Sequence, residues 1–141
     1  MIIRVVKRFL HLSGGDRVLL LQTIILLLAI KLGLKFTTVQ QLRGQLQYYT
    51  RWKSTVSRPA SRLIWAVEVA TRILPGDTKC LARALAAQAL LLGHNYPAKV
   101  RLGVAKDADG NFEAHAWVES EGKVAIGQLQ DGERFKPLVD W

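Results

Sequence analysis

Apolar residues recur at helical spacing through the first two thirds of the chain. The longest apolar run, 18–30, follows Ser13 and Asp16 in capping-box positions, and its helix is predicted to end near Lys31 and Gly33. A run of thirteen residues is too short to cross a bilayer, which takes about 20. The pattern therefore predicts a buried core helix and not a membrane span.

Two shorter helices are predicted next. The first lies within 38–53 although Gly44 interrupts it, and the second runs from Ser57 to Pro75 with Pro59 in its first turn. The residues predicted to face the core are Leu42, Leu46 and Tyr49 in the first helix and Leu63, Val67 and Ala70 in the second.

The segment PGDTKCLARALAAQALLLGHN, residues 75–95, predicts a fourth helix. Asp77 or Thr78 is placed to cap it, so Cys80, the only cysteine, falls in the first turn. Gly93 or Asn95 supplies the stop. The predicted inward stripe consists of Leu81, Ala84, Leu85, Gln88, Leu91 and Leu92.

After Pro97 the apolar residues alternate, which is the period of a strand. Strands are predicted over 98–105, 112–120 and 124–129, separated by the turns DADGN and EGK. The sequence therefore predicts an α+β fold in which a helical N-terminal half packs on a small antiparallel β-sheet.

Composition and charge narrow the class of protein. The chain has 141 residues, half of them hydrophobic and 22% charged, which suits one globular domain. The net charge is +9, but the basic residues form neither a continuous basic stretch nor a known nucleic-acid recognition motif. No nucleic-acid partner is therefore expected. A single cysteine cannot form an internal disulfide. We expect a cytoplasmic protein without membrane association.

Cys80 permits two interpretations. A lone cysteine is more often a small apolar core residue than a nucleophile. Its position changes that balance, because the N–H groups and dipole of a helix start stabilise a thiolate and Lys79 adds a positive charge nearby.

His115 lies in the middle of the strand EAHAWVE. Alternation places Glu113, His115, Trp117 and Glu119 on one face and Ala114, Ala116 and Val118 on the other. We expect the small apolar face to pack on the Cys80 helix or its neighbour; the alternative for His115 is an exposed polar face. His94 is fourteen residues from Cys80, about 20 Å along a helix, and cannot meet it there. A cysteine at a helix start followed by a histidine on a strand is the order of papain-like and transglutaminase-like enzymes.

A third residue is expected to orient the imidazole. With 121–122 as a two-residue hairpin turn, Gln128 falls opposite His115. Asp131 is the nearest carboxylate beyond that strand, and Glu119 shares the face of His115. Gln128 and Asp131 rank nearly equal, and all three can also be solvated polar residues. No metal site or cofactor is predicted, because His115 has no companion at ligand spacing.

The segment TKCLARALAAQALLLGHNYPAKVRLGV, followed by FEAHAWVES, resembles the cysteine-protease protein of lasso-peptide biosynthesis, a small transglutaminase-like family. The resemblance extends upstream and covers most of the chain. It implies one transglutaminase-like cysteine peptidase domain over 1–141, with a helical N-terminal part over 1–56 and a catalytic core over 57–141. It also implies that Cys80 is the nucleophile and His115 the general base. The Cys80 backbone N–H is then a natural oxyanion donor, with Gln22 and Trp65 as candidate side-chain donors.

The same resemblance implies a function. Such proteins remove the leader from a ribosomally made precursor peptide, so that an ATP-dependent cyclase can close the lasso ring. The expected partners are the precursor, a small free-standing leader-recognition protein and the cyclase. Some relatives carry an aspartate as the third catalytic residue where this chain has Gly127. Three alternatives therefore stay open: Asp131 as the third residue, Gln128 as the third residue, or a Cys–His dyad without one. Two other functions stay open too: an inactive scaffold that binds peptide or partner, and an acyltransferase with the same Cys–His chemistry.

Overall fold

A computed structural model describes residues 3–4, 7, 10–11, 14–51, 53, 57–74, 80–106, 108–126 and 136–140; at 105, 113–114 and 136–140 it describes the backbone alone. The helices are α1 (Gly14–Phe36), α2 (Val39–Thr50), α3 (Ala60–Ile73) and α4 (Cys80–Gly93). The strands are β1 (Lys99–Lys106), β2 (Phe112–Ser120), β3 (Lys123–Ile126) and β4 (Lys136–Asp140). They form one antiparallel sheet in the order β3-β2-β1-β4, which confirms the α+β class.

α1 is longer than predicted and is buried on one face only. It passes Gly33 and ends at Phe36, because this glycine is a packing contact and not a stop: a Cβ there would lie 2.7 Å from Leu42 Cδ1 of α2. Asp16 forms a salt bridge with Arg62 of α3, whereas the predicted cap Ser13 lies outside the described residues. The buried residues of α1 are Leu19, Leu20, Thr23, Leu26, Leu27 and Ile30.

The outward face of α1 is apolar as well. α1 is therefore the one helix in the described part of the chain that is long and apolar enough to cross a membrane, with 33% of its most apolar window buried inside the protein. The prediction of a buried core helix holds for its inner face alone.

The starts of α2 and α3 follow from the residues that precede them. Thr38 caps α2 by accepting a hydrogen bond from the Gln41 N–H at 3.2 Å. Leu42 is buried as predicted and Leu46 is half-buried, but Tyr49 is exposed, because the buried side of α2 runs from Leu42 to Thr50. α3 begins after Pro59 and not at Ser57, since a residue that precedes proline is kept out of the helical region. The predicted core residues of α3 are all buried: Leu63, Val67 and Ala70.

α4 lies at the centre of the molecule and contacts all three other helices as well as β1 and β2. It is buried on nearly every side. Of the predicted inward stripe, Ala84, Leu85 and Leu91 are buried, whereas Leu81, Gln88 and Leu92 are only half-buried. Its alanines let neighbouring elements approach closely around the whole helix. The buried residues are Ala82, Ala84, Leu85, Ala86, Ala87, Ala89, Leu90, Leu91 and Gly93. Asn95 follows with a φ of 67°, as expected for a helix stop.

The sheet differs from prediction in two places. The 121–122 turn is confirmed, and both of its residues have positive φ, but the pairing shifts after Glu119 so that Val118 pairs with Ile126. From there on, the uniform register that set position 128 opposite His115 no longer holds. β4 was not predicted because Pro137 interrupts its pattern, and an edge strand is where a sheet tolerates proline.

Candidate active site

Cys80 is the first residue of α4 and is half-buried against the hydrophobic core. The first N–H groups of a helix have no acceptor within the helix and point out of its start. Together with the helix dipole they favour negative charge at this position. The Cys80 sulfur therefore lies beside N–H groups that can donate to a developing oxyanion. The predicted caps Asp77 and Thr78, and the neighbouring Lys79, lie outside the described residues.

His115 lies on the face of β2 that points away from α4. Ala116 and Val118 are at most 1% exposed and belong to the core that α4 shares, as predicted for the small apolar face of this strand. His115 and Trp117 are half-buried on the opposite face, with ring centroids 6.1 Å apart and planes 20° apart. The cross-strand partner of His115 is Gly103, so β1 contributes no side chain beside the imidazole at that position.

Polar contacts continue from the His115 ring along this face. Trp117 Nε1 donates a hydrogen bond to Glu119 Oε1 at 3.1 Å, and Glu119 Oε2 lies 2.7 Å from Arg101 Nε in a salt bridge. Glu119, a candidate third residue, is therefore engaged by Trp117 and Arg101. Sequence reasoning put Trp117 and Glu119 on this face but did not assign them to a chain of contacts ending at the histidine.

Cys80 and His115 lie at the same end of the layer formed by α4 and the sheet. Gln88 Nε2 donates to the Ala98 carbonyl at 3.4 Å, which places the start of β1 beside the middle of α4. From Gln88 back to Cys80 is about 12 Å along the helix, and from Ala98 on to Gly103 is about 16 Å along the returning strand. Because Gly103 pairs with His115, these path lengths place the histidine at roughly the level of Cys80, on the face of β2 that points away from α4.

The histidine at the other end of α4 has a structural role. His94 Nδ1 lies 2.8 Å from the Leu90 carbonyl, and its Nε2 lies 3.3 Å from an Arg58 guanidinium nitrogen. Tyr96 adds a hydrogen bond from its hydroxyl to the Arg58 carbonyl at 2.6 Å. These contacts fix the C-terminal end of α4, about 20 Å from Cys80.

The other candidate site residues divide into two groups. Gln128 and Asp131 lie outside the described residues, as does Gly127. Gln22 is exposed on the outer face of α1, and Trp65 stacks under the Arg62 guanidinium at 4.2 Å. Within the described ranges, no cluster of three or more His, Cys, Asp or Glu side chains is arranged to hold a metal ion.

Comparison with known proteins gives the family. The profile of the Transglutaminase-like superfamily matches residues 24–140, which take in all described elements except the first part of α1. The chain therefore belongs to the transglutaminase-like superfamily. This superfamily includes cysteine peptidases, and membership indicates chemistry of the cysteine protease or acyltransferase type. No curated protein and no solved structure gives a significant match to the chain.

Proposed function

We propose that this protein is a cysteine peptidase that removes the leader from a ribosomally made lasso-peptide precursor, with Cys80 as nucleophile and His115 as general base. The observation that carries the proposal is a single cysteine at the first position of α4, in a chain that belongs to the transglutaminase-like superfamily. The substrate is proposed from the resemblance of 78–104 and 112–120 to the lasso-peptide cysteine proteases.

The chemistry follows from a thiolate at a helix start. His115 takes the proton of the Cys80 thiol, and the sulfur attacks the scissile carbonyl carbon to form a C–S bond while the carbonyl oxygen becomes an oxyanion near the Cys80 N–H. When the tetrahedral intermediate collapses, the C–N bond breaks and protonated His115 gives its proton to the leaving amine. Water then attacks the thioester while His115 takes its proton, which releases the carboxylate and restores the thiolate.

The proposal makes one geometric demand. A nitrogen of the His115 ring must come within hydrogen-bond distance of the Cys80 sulfur, about 3 Å, when substrate is bound. The two residues lie at about the same level but on opposite sides of β2, so the demand is met only if the His115 ring reorients toward Cys80 when substrate binds. Gln128 or Asp131 is proposed as the third member; otherwise the enzyme works as a dyad.

A second function is favoured by one observation. His115 faces away from α4, so an inactive scaffold that binds a precursor or partner protein also agrees with the described packing. An acyltransferase, in which an amine in place of water resolves the thioester, uses the same two residues. The proposed partners are the precursor peptide, a small leader-recognition protein and the ATP-dependent cyclase.

The test uses a precursor peptide and a leader-recognition protein, which the proposal expects to find encoded in neighbouring reading frames. A leader peptidase gives two products whose masses add up to the precursor plus one water, and prior alkylation of Cys80 with iodoacetamide abolishes them. An acyltransferase gives a product that carries the acceptor amine. Retention of the cellular output in Cys80→Ala would instead establish the scaffold.

A further inference from the structure

α1 carries a continuous apolar stripe on its outward face. Six large side chains, each between 42% and 79% exposed, follow one another at spacings of three or four residues. At 3.6 residues per turn they fall within an arc of about 80° and extend for about 27 Å. We call this set the α1 outer stripe: Val18, Leu21, Ile25, Leu28, Leu32 and Phe36.

The stripe is unusual for a surface helix. The inner face of α1 already supplies core residues such as Leu19 and Leu27, so the outer stripe is not needed to hold the domain together. The outward side of a helix in a water-soluble domain is normally polar. A contiguous exposed apolar surface of this length indicates an interaction site.

The charge around the stripe indicates what covers it. Residues 1–53 contain nine of the twenty basic residues and one of the eleven acidic residues, and so carry +8 of the net +9. The remaining chain, with eleven basic and ten acidic residues, is nearly neutral. The one acidic residue of the first segment, Asp16, is paired with Arg62. The segment that presents the stripe is therefore strongly cationic.

The basic residues are also placed beside the stripe. By helical periodicity Arg17, Lys31 and Lys35 lie along one flank of it, next to Leu21 and Leu28. The Arg17 guanidinium also donates a hydrogen bond to the Leu10 carbonyl, which attaches the preceding helical positions to the start of α1. Those positions present the same combination of exposed basic and apolar side chains: Ile3, Arg4, Lys7 and Leu10.

From these observations we propose that the α1 outer stripe docks the protein onto an anionic lipid surface, with α1 lying in the plane of the membrane interface. Apolar side chains on one face flanked by basic residues are the composition of an interfacial helix. α1 does not cross the bilayer in this arrangement, because its inner face stays in the protein core. A second copy of the chain is the poorer occupant, since it would bring two cationic flanks together.

Vesicle sedimentation of the full chain tests the proposal. The protein is expected to sediment with vesicles of equal parts phosphatidylcholine and phosphatidylglycerol, much less with pure phosphatidylcholine, and less at high salt. Ile25→Glu is expected to weaken binding about tenfold or more, because it replaces an inserted apolar group with an anion. The matched control is Val124→Glu, which makes the same change at an exposed apolar residue of β3 and is expected to bind like the wild type.

Lys35→Glu provides a second variant that leaves the stripe intact, and it is expected to reduce binding to the anionic vesicles alone. Circular dichroism and the melting temperature establish that each variant is folded. Three results would overturn the proposal: no binding to anionic vesicles, equal binding by Ile25→Glu and Val124→Glu, or equal binding to neutral and anionic vesicles. A concentration-dependent dimer that Ile25→Glu dissociates, without vesicle binding, would assign the stripe to a second copy.

Discussion

Ala116 and Val118, on the α4 side of β2, are almost wholly buried, whereas His115 and Trp117, on the other side of the same strand, are half-buried. The α4 side consists of small apolar groups in close packing. The other side consists of rings and charges connected from His115 to Arg101. β2 thus separates the packed side, where α4 carries Cys80, from the side that carries His115.

Substitutions on the two faces of β2 are therefore expected to affect different properties. Changes on the α4 side remove buried apolar contacts, so they lower stability and leave the reacting groups in place. Changes on the other side remove polar or aromatic contacts that are partly solvated, so they alter chemistry with little loss of stability. If the account is right, stability and activity can be varied independently on the two faces of β2.

The largest effect is expected for the two proposed catalytic residues. Cys80→Ala lowers kcat for precursor cleavage by about 10⁴-fold or more, and His115→Ala by about 10²- to 10⁴-fold. Both variants keep a melting temperature close to that of the wild type, since neither side chain is fully buried. His94→Ala is the matched control: it loses contacts at the far end of α4 and destabilises the fold, but the folded enzyme keeps its kcat.

Val118→Ala affects the opposite property. It removes two buried methyl groups from the α4 side of β2 and is expected to lower the free energy of unfolding by about 2 kcal/mol. Chemical denaturation measures the loss, and kcat is expected to stay within about twofold of the wild type under folding conditions. A large fall in kcat at unchanged stability would show that the two faces are not independent.

Trp117→Phe has a smaller effect on the His115 side. Phenylalanine can keep the ring beside His115 but loses the Nε1–H donor to Glu119, so the ring is less firmly held. As a positioning residue, Trp117 is expected to affect kcat, by up to about tenfold, and to leave KM unchanged. An increase in KM alone would instead identify Trp117 as a substrate contact.

The smallest effect is expected for the salt bridge at the end of this chain of contacts. Arg101→Gln removes the partner of Glu119, and both side chains are about 30% exposed. Solvent screening limits the loss to roughly 0.5–1 kcal/mol, and the difference from the wild type should shrink at high salt. Denaturation at two salt concentrations measures it. A salt-independent loss would contradict a screened ion pair.

Local signals in the sequence were enough to predict the elements that carry the candidate site. The bounds of β2 and the turn at 121–122 follow from alternation and a glycine turn. The alternation of β2 also identified which face would be buried. On that face Ala116 leaves room for α4 to pack close to the strand.

The features that were missed depend on contacts distant in sequence. From the sequence alone, Gly33 predicts a helix end, but in the fold it makes room for Leu42 of α2. Pro137 argues against a strand, but β4 lies at the edge of the sheet, where proline is tolerated. The bulge beside Val118 shifts the register that was assumed in placing Gln128 opposite His115, and no local sequence pattern predicts this bulge. The sequence predicts the outer stripe of α1 as buried because apolar content alone does not distinguish a core face from an exposed apolar face.

The proposed pairing of Cys80 with His115 can be measured through the alkylation rate of Cys80. The rate with iodoacetamide at neutral pH is measured in the wild type, in His115→Ala and in the His94→Ala control, and again in denaturant. We expect His115→Ala to slow alkylation of the folded protein about tenfold or more and His94→Ala to leave the rate unchanged. In denaturant, the wild type and both variants are expected to react at equal rates. Equal rates for folded wild type and folded His115→Ala would contradict the Cys–His pair.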